Sequence, residues 1–282
     1  MEKQAVAAMP KTTSILKEAL SHLSGEWGAV VLCTLAFIWI PFIPFLLDGL
    51  THEVFVLDFW NPFTKSTFLP FELGILLLLI VFFIIYPMRF GYQCVFLKFI
   101  RKDTSAPSYS MLSVFKHRYG RWLLASLLFF VTISVISGLL SWILTKLLTP
   151  LVVNEVINIV IALTLILIVS LIAPLLLYYQ YALMPYVVHD NQELSVWKCL
   201  MKSSKVLKGY RWKLFFIDLI LYAPILVIQA VLSILLFKGI ITQSIFLLCD
   251  IFLAIISLWI TPWLMTSHAV LYSHITESQS AE

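Results

Sequence analysis

The sequence predicts an all-α, polytopic membrane protein, and three observations support this fold class. Apolar residues make up 61% of the 282 residues, and charged residues make up only 12%, about half the share in a soluble domain. The mean hydropathy is +0.98. Uncharged stretches of about 20 residues, the length that a helix needs to cross the hydrocarbon core, recur along the chain. We therefore expect one transmembrane domain over residues 1–282.

Six charge-poor stretches are long enough to span the bilayer. The fourth is longer than a span needs and should be broken by Pro174 and Pro185, because proline lacks the backbone N–H of a helical hydrogen bond. The expected spans are about Trp27–Leu47, Leu73–Lys98, Trp122–Thr145, Val156–Val188, Lys213–Lys238 and Ile245–Tyr272.

Basic residues predict the orientation of these spans, because lysine and arginine accumulate on the cytoplasmic side. The N-terminal tail, residues 89–121 and residues 189–213 hold three, seven and six of the 19 basic residues. The remaining three, Lys65, Lys146 and Lys238, fall one in each intervening loop. Both termini should therefore be cytoplasmic. The first apolar run lacks the pattern of a cleaved secretory signal, so we expect it to remain as a span.

An amphipathic segment ending in glycine and tryptophan precedes each odd-numbered span. Glycine ends helices in the left-handed conformation, and tryptophan is common at the boundary between lipid and water. We therefore expect Trp27, Trp122 and Trp212 to lie at this boundary. The three segments are Ser14–Trp27, Ser110–Trp122 and Val196–Trp212.

The even-numbered spans repeat a second feature. Pro87, Pro174 and Pro262 are spaced 87 and 88 residues apart, and a polar side chain follows six residues after each. Two unlinked features in the same order predict three copies of one unit, an interfacial helix followed by a transmembrane hairpin. The alternative is that prolines and amphipathic helices are simply common in membrane proteins. The copies would cover about 12–105, 106–192 and 193–282.

Four short segments of the chain resemble a known family. The runs Tyr186–Asn191 and Ser204–Phe215, together with Gly91-Tyr92 and the basic stretch from Lys98 to Arg101, resemble the bacterial membrane family called domain of unknown function 975. The resemblance covers about residues 85–216. It implies a six-helix protein of the bacterial inner (cytoplasmic) membrane, in a family without an established activity.

Residues 193–208 are the clearest candidate for an interfacial helix. At 100° per residue, Lys198, Lys202 and Lys205 fall on one arc beside an apolar arc. This geometry suits a helix in the headgroup plane whose lysines reach anionic lipid. The lysines would also set topology, which is the alternative interpretation. The apolar arc is expected to contain Val196, Trp197, Leu200, Met201, Ser204 and Leu207.

Ionisable side chains inside spans are candidate functional residues. Arg89 lies in the second span, and Asp218 lies in the fifth, five residues past Lys213, a candidate partner. If Arg89 and Asp218 pair, they form either a buried ion pair that fixes helix register or a substrate or proton site. Neither residue recurs in the other repeats, which favours the structural role.

Gln93, Gln180 and His268 are the polar residues that follow the three prolines. They are candidates for a polar ring on a pseudo-threefold axis, where they would bind a lipid headgroup or pass a small solute. The alternative is interhelical hydrogen bonding, worth about 0.6 kcal/mol a pair. We expect apolar side chains to close most of the axis.

No sequence motif indicates catalysis. The chain lacks HExxH, GxSxG and P-loop patterns, and its six histidines and four cysteines show no metal-ligand spacing. We therefore predict no catalytic residue, no metal and no cofactor. A net charge of +4 is too small for a nucleic-acid partner.

The leading hypothesis is a non-catalytic, membrane-organising or accessory protein. Its partners would be the lipid bilayer, including anionic lipids, and other membrane proteins. One alternative is a small permease, channel or lipid-handling protein with a polar site near the axis. Another is an unfamiliar intramembrane enzyme.

Overall fold

The computed structural model describes residues 10–35, 81–102, 119–153 and 158–280. These residues contain helices and no β-strand, so the all-α prediction is confirmed for them. The first two expected spans extend into residues 36–80, outside the described residues. Within the described ranges, four helical segments are long and apolar enough to cross a membrane: Tyr119–Val153, Ile159–Asp190, Arg211–Phe237 and Ser244–Gln279.

The helices are numbered in chain order. Residues 27–35 are also helical, and a π-helical turn, Val81–Ile85, leads into α2. The bounds are α1 Thr12–Leu23, α2 Tyr86–Ile100, α3 Tyr119–Val153, α4 Ile159–Tyr181, α5 Met184–Asp190, α6 Val196–Val206, α7 Arg211–Phe237 and α8 Gln243–Ser280.

The described residues divide into two compact units, and α8 is the centre of the first. This unit consists of the described residues up to 123 and residues 216–280. Both α1 and α2 pack against α8. Trp263 Nε1 donates a hydrogen bond to the Leu16 carbonyl at 2.9 Å, and His274 Nε2 lies 2.9 Å from Glu18 Oε2. The N-terminal helix is therefore attached along the second half of the last helix.

The second unit covers the described residues from 124 to 215. In this unit α6 packs against α4 and α5. Helix α4 continues through Pro174, so the expected break at that proline is wrong. The chain leaves the helix at residues 182–183, directly before α5, where Pro185 lies in the first turn. Proline fits there because the first N–H groups of a helix have no partner in the helix.

Burial changes near each of the three repeated prolines. In α4 the apolar side chains are largely exposed up to residue 176, whereas residues 179–188 are buried apart from the half-buried Gln180. In α8 exposed apolar side chains extend to Trp259, and residues 264–272 are buried. Phe83 and Ile84 are exposed before Pro87, and most of residues 88–97 are buried after it. The halves before the prolines thus present apolar surface of the kind that lipid or a membrane partner covers.

The glycine turns agree with the predicted repeat at two positions. Gly25 has a φ of 93° and Gly209 has a φ of 90°, so both adopt the left-handed conformation after helices α1 and α6. Gly120 lies inside the first turn of α3 and is absent from the positive-φ glycines of the described residues, so the expectation of a left-handed turn is wrong there. Residues 110–118 lie outside the described residues. The threefold repeat stays a prediction.

Replacing Gly209 by alanine should lower the free energy of unfolding by about 1 kcal/mol, because a left-handed backbone costs an L residue about 1–2 kcal/mol. Nothing lies within 4 Å of the added Cβ, so steric overlap adds no cost. Denaturant unfolding of the full-length protein in detergent measures the change. Gly120→Ala is the matched control, since its Cβ also meets nothing within 4 Å; it should leave stability unchanged or raise it by up to about 1 kcal/mol. Equal effects of the two substitutions would contradict this account.

Candidate functional site

Three side-chain contacts join α7 to α8, and together they form what we call the polar seam. Each pair has one member on α7 and one on α8, and the order along the two helices is reversed. The pairs are Asp218 Oδ1 with His268 Nε2 at 2.5 Å, Tyr222 Oη with Thr261 Oγ1 at 3.1 Å, and Gln229 Nε2 donating to Asp250 Oδ1 at 3.0 Å.

Helical spacing explains why these side chains meet. On α7 the members are separated by 4 and 7 residues, and on α8 by 11 and 7 residues. These intervals are close to whole turns of a helix, so each set lies on one face. The α8 members extend over about 27 Å at 1.5 Å per residue, close to the roughly 30 Å of a hydrocarbon core. The seam can therefore hold an antiparallel helix pair together over most of a bilayer's thickness.

Asp218 and His268 are the closest pair in the seam. The His268 side chain is 0% exposed and that of Asp218 is 16% exposed. Sequence spacing favours Arg89 or Lys213 as the partner of Asp218, whereas the structure places His268 there. Among the described residues no ion pair joins Arg89 to Asp218, and Arg89 is half-buried on α2. The structure thus brings together two of the predicted site residues that the sequence did not pair.

Several buried side-chain atoms of the first unit lack a hydrogen-bond partner among the described residues. They include Oε1 of Gln93 on α2, and Nδ1 of His268 and Oγ of Ser273 on α8, and α2 and α8 pack against each other. Gln93 is only 3% exposed. An unpaired buried polar atom costs about 1–3 kcal/mol and calls for a specific explanation. Gln93 Oε1 and His268 Nδ1 are therefore among the places where this unit retains capacity for a further hydrogen-bonding group.

The hydroxyl groups next to His268 are already engaged. Thr266 donates to the Pro262 carbonyl and Ser267 donates to the Trp263 carbonyl, both at 2.8 Å. Each bond reaches back four residues along the same helix. These hydroxyls therefore satisfy their own helix, beside the proline that interrupts its backbone hydrogen bonds.

Gln180 belongs to the second unit and has partners there. Its Nε2 atom donates to Ser204 Oγ and to Tyr181 Oη, both at 3.1 Å. Arg211 Nη2 donates to the same Ser204 oxygen at 3.4 Å, and Ser203 Oγ donates to the Tyr181 carbonyl at 3.4 Å. These bonds attach α6 to the end of α4. Of the expected ring, Gln93 and His268 lie in one unit and Gln180 in the other, so the ring itself stays a prediction.

Helix α6 buries part of the predicted apolar arc against the protein and leaves the rest of it exposed. Trp197 and Met201 were placed on the apolar arc by the sequence pattern, but they are 58% and 46% exposed. The reason is that α4 and α5 cover the side of α6 that carries Cys199 and Ser203. The buried residues of this helix are Val196, Cys199, Leu200, Ser203 and Val206.

The three predicted lysines of α6 are all exposed, but their environments differ. Lys202 Nζ donates to Asn191 Oδ1 at 2.6 Å. Asn191 is itself held by a bond from its Nδ2 atom to the Val187 carbonyl at 2.9 Å. The sequence pattern treats the three lysines as equivalent, whereas in the structure Lys202 is hydrogen-bonded to another residue of the protein.

The three tryptophans that were predicted to lie at the membrane boundary are near the starts of helices, but their surroundings differ. Trp212 is 68% exposed near the start of α7 and contacts Phe215 edge to face, with ring centroids 5.7 Å apart. Trp122 is half-buried in the first turn of α3. Trp27 is half-buried and its ring centroid lies 5.2 Å from that of Trp259. Their place at a membrane boundary stays a prediction.

Metal-binding clusters are not found in the part of the chain that the structure describes, where no group of three or more His, Cys, Asp or Glu residues could hold a metal ion. All four cysteines lie in this part and are thiols: Cys33, Cys94, Cys199 and Cys249.

Sequence reasoning missed several members of these contacts. Tyr222, Thr261 and Gln229 complete the polar seam, and Asn191 and Ser204 hold α6. The polar positions of α7 at intervals of 4 and 7 residues were a signal of a shared face. Nothing in the pattern indicated which helix that face would meet.

The helices, with their exposed apolar halves and their polar contacts between helices, define an all-helical, multi-pass membrane protein. The profile of the family described as Protein of unknown function (DUF975) matches residues 9–279, and the chain belongs to this family. The match extends well beyond the 85–216 region that carries the resemblance. No curated protein and no solved structure matches the chain.

A double-mutant cycle tests the central contact of the seam. We expect Asp218→Asn and His268→Gln to show a coupling free energy of about 1–2 kcal/mol, because hydrogen bonds to charged groups exceed neutral ones. The reference cycle is Tyr222→Phe with Thr261→Val, for which about 0.6 kcal/mol is typical in membranes. Unfolding of the full-length protein in lipid bicelles gives both values. A coupling no larger than that of the reference pair would refute a special role for Asp218 and His268.

Proposed function

We propose that this chain is a non-catalytic, multi-pass protein that organises or assists other components of the bacterial inner membrane. The polar seam is the observation that carries this proposal. Three of its polar groups, Asp218, Asp250 and His268, belong to residue types that line substrate and proton paths in transporters. In this chain they are bonded to side chains of a neighbouring helix, which is the arrangement that attaches helices inside a membrane.

The proposed architecture has six spans arranged as three hairpins, each preceded by an interfacial helix, with both termini cytoplasmic. The change of burial near Pro87, Pro174 and Pro262 supports the repeat, because it gives the three prolines the same structural context. The left-handed turns at Gly25 and Gly209 support it at two of the three helix ends. The basic residues, concentrated before the odd-numbered spans, support the orientation.

Lipid and membrane proteins are the proposed partners. The candidate spans expose apolar side chains along most of their length, and only 6–11% of their most apolar windows is buried. A membrane-spanning bundle can present such a surface to acyl chains or to the helices of a second protein. Large exposed apolar surface on a helix bundle therefore favours an accessory role within the bilayer.

A second candidate function is a small permease, channel or lipid-handling protein. Gln93 Oε1 and His268 Nδ1 favour it, because both are buried and have no partner among the described residues. A hydrogen-bonding ligand would remove that cost. The third hypothesis, an intramembrane enzyme, has an acid–base pair in Asp218 and His268. The hydroxyls beside His268 are bonded to their own helix, which does not favour a nucleophile there.

Native mass spectrometry of the full-length protein, released from lipid nanodiscs, separates these functions. We expect wild type and the triple variant Gln93→Leu, Gln180→Leu, His268→Leu to carry the same bulk lipids, because the organising role needs no ligand at these side chains. A defined metabolite or lipid that is held by wild type and lost in the triple variant would overturn the proposal in favour of the second candidate.

A complementation experiment tests the organising role directly. Deletion of the gene should change the composition of at least one inner-membrane complex in native-gel profiles. Expression of the double variant Asp218→Leu, His268→Leu in the deletion strain should restore the wild-type composition. Replacing a buried polar pair by packed apolar residues often preserves or raises stability. Asp218→Leu alone is the control, since it leaves His268 unpaired and should restore less. Unchanged complexes in the deletion strain would refute the organising role. If the double variant folds but does not restore the complexes, Asp218 and His268 have a chemical role beyond joining the helices.

A further inference from the structure

Among the residues that the structure describes, helix α6 packs through one side, and Trp197, Lys198, Met201 and Lys205 on the rest of its circumference are exposed. Cys199 and Ser203 lie on the buried side, and the bonds from Gln180 and Arg211 to Ser204 fix the edge of that side. The helix therefore has a fixed orientation. A ligand would meet its outer side without any rearrangement of the second unit.

The outer side of α6 combines cationic and apolar side chains in one stripe. Lys198, Met201 and Lys205 are spaced by three and four residues, so they follow each other along one helix face. Trp197 precedes Met201 by four residues, so it lies next to Met201 at the start of the stripe. All four side chains are exposed. An exposed tryptophan and methionine beside two lysines are unusual for a surface that faces only water.

Two of the three lysines have no competing partner. Lys202 donates to Asn191 at 2.6 Å, whereas Lys198 and Lys205 make no hydrogen bond or ion pair with any residue that the structure describes. Lys198 and Lys205 are two helical turns apart, about 10.5 Å along the axis. The stripe thus presents two available ammonium groups separated by an apolar side chain.

We propose that Lys198, Met201 and Lys205, with Trp197, form a binding site for the anionic headgroups of phospholipids. The ammonium groups complement headgroup phosphates, and Trp197 and Met201 complement the first acyl carbons below them. The apolar pair selects a lipid over a free phosphate, because a soluble anion offers nothing to cover it. The site depends on the proposed function only for the position of α6 at the cytoplasmic leaflet.

Lipid titration of the full-length protein in detergent, followed by native mass spectrometry, tests the site. The probes are phosphatidylglycerol, which is anionic, and phosphatidylethanolamine, which is zwitterionic. Lys198→Gln with Lys205→Gln should weaken phosphatidylglycerol binding about 30-fold, since each lysine near an anionic surface contributes about fivefold. Phosphatidylethanolamine binding should change less than twofold.

Two control variants separate a specific site from general positive charge. Lys146→Gln with Lys238→Gln removes the same charge from exposed positions outside the stripe and should leave phosphatidylglycerol binding within twofold of wild type. Lys202→Gln should also stay within twofold, because Asn191 already holds that lysine. If Lys202→Gln weakens binding as much as Lys198→Gln or Lys205→Gln does, the lysines act as diffuse charge and the site is refuted.

Competition by inorganic phosphate at constant ionic strength distinguishes the two sources of a phosphate group. Phosphatidylglycerol should stay bound when the concentration of inorganic phosphate is many times that of the lipid. Displacement would assign the site to a soluble anion and overturn the lipid assignment. Failure of this site would leave the organising role intact, because that role is tested by the deletion strain and by the variants of Asp218 and His268.

Discussion

Polar side chains inside an apolar helix must find partners within the protein, because the hydrocarbon core of a membrane offers none. This constraint accounts for the polar seam between α7 and α8. Asp218 has its closest contact with a histidine fifty residues away, and Gln229 donates to Asp250 near the other end of the pair. The contacts set the register of the two helices. On its other contacts, α8 packs against α1 and α2.

The same requirement explains why helix halves differ on either side of the repeated prolines. Before Pro174 and Pro262 most side chains are apolar and exposed, a composition that lipid tolerates. The polar Asp250 and Thr261 in this half of α8 contact side chains of α7. After them, the helices carry hydrogen-bonding side chains such as Gln180 and His268, and these halves are buried against other helices. A polar group is stable at such a depth only where protein surrounds it. The buried halves therefore form the part of the molecule in which specific contacts are concentrated.

Helix α6 shows how packing divides the surface of an amphipathic helix. The sequence pattern places Trp197 and Met201 on the apolar arc, and the packing of α6 on α4 and α5 leaves both of them exposed. The result is a surface on which two unpaired lysines flank an exposed apolar side chain, while Lys202 is held by Asn191. Hydrogen bonds from Gln180 and Arg211 to Ser204 hold α6 in place, and such preorganisation lowers the entropic cost of binding a ligand.

Composition and charge patterning alone determined that this is an all-helical, apolar chain, because the length and charge of its segments decide which environment can accommodate them. Spacing also identified Asp218 and His268 as unusual residues, and a basic interfacial helix over residues 193–208. Tertiary structure alone decided that Asp218 contacts His268 rather than Arg89. It also decided that Lys202 is hydrogen-bonded to Asn191, whereas Lys198 and Lys205 make no such bond with the described residues. Such pairings depend on which helix faces meet in three dimensions, and periodicity along a single helix carries no information about the neighbouring helix.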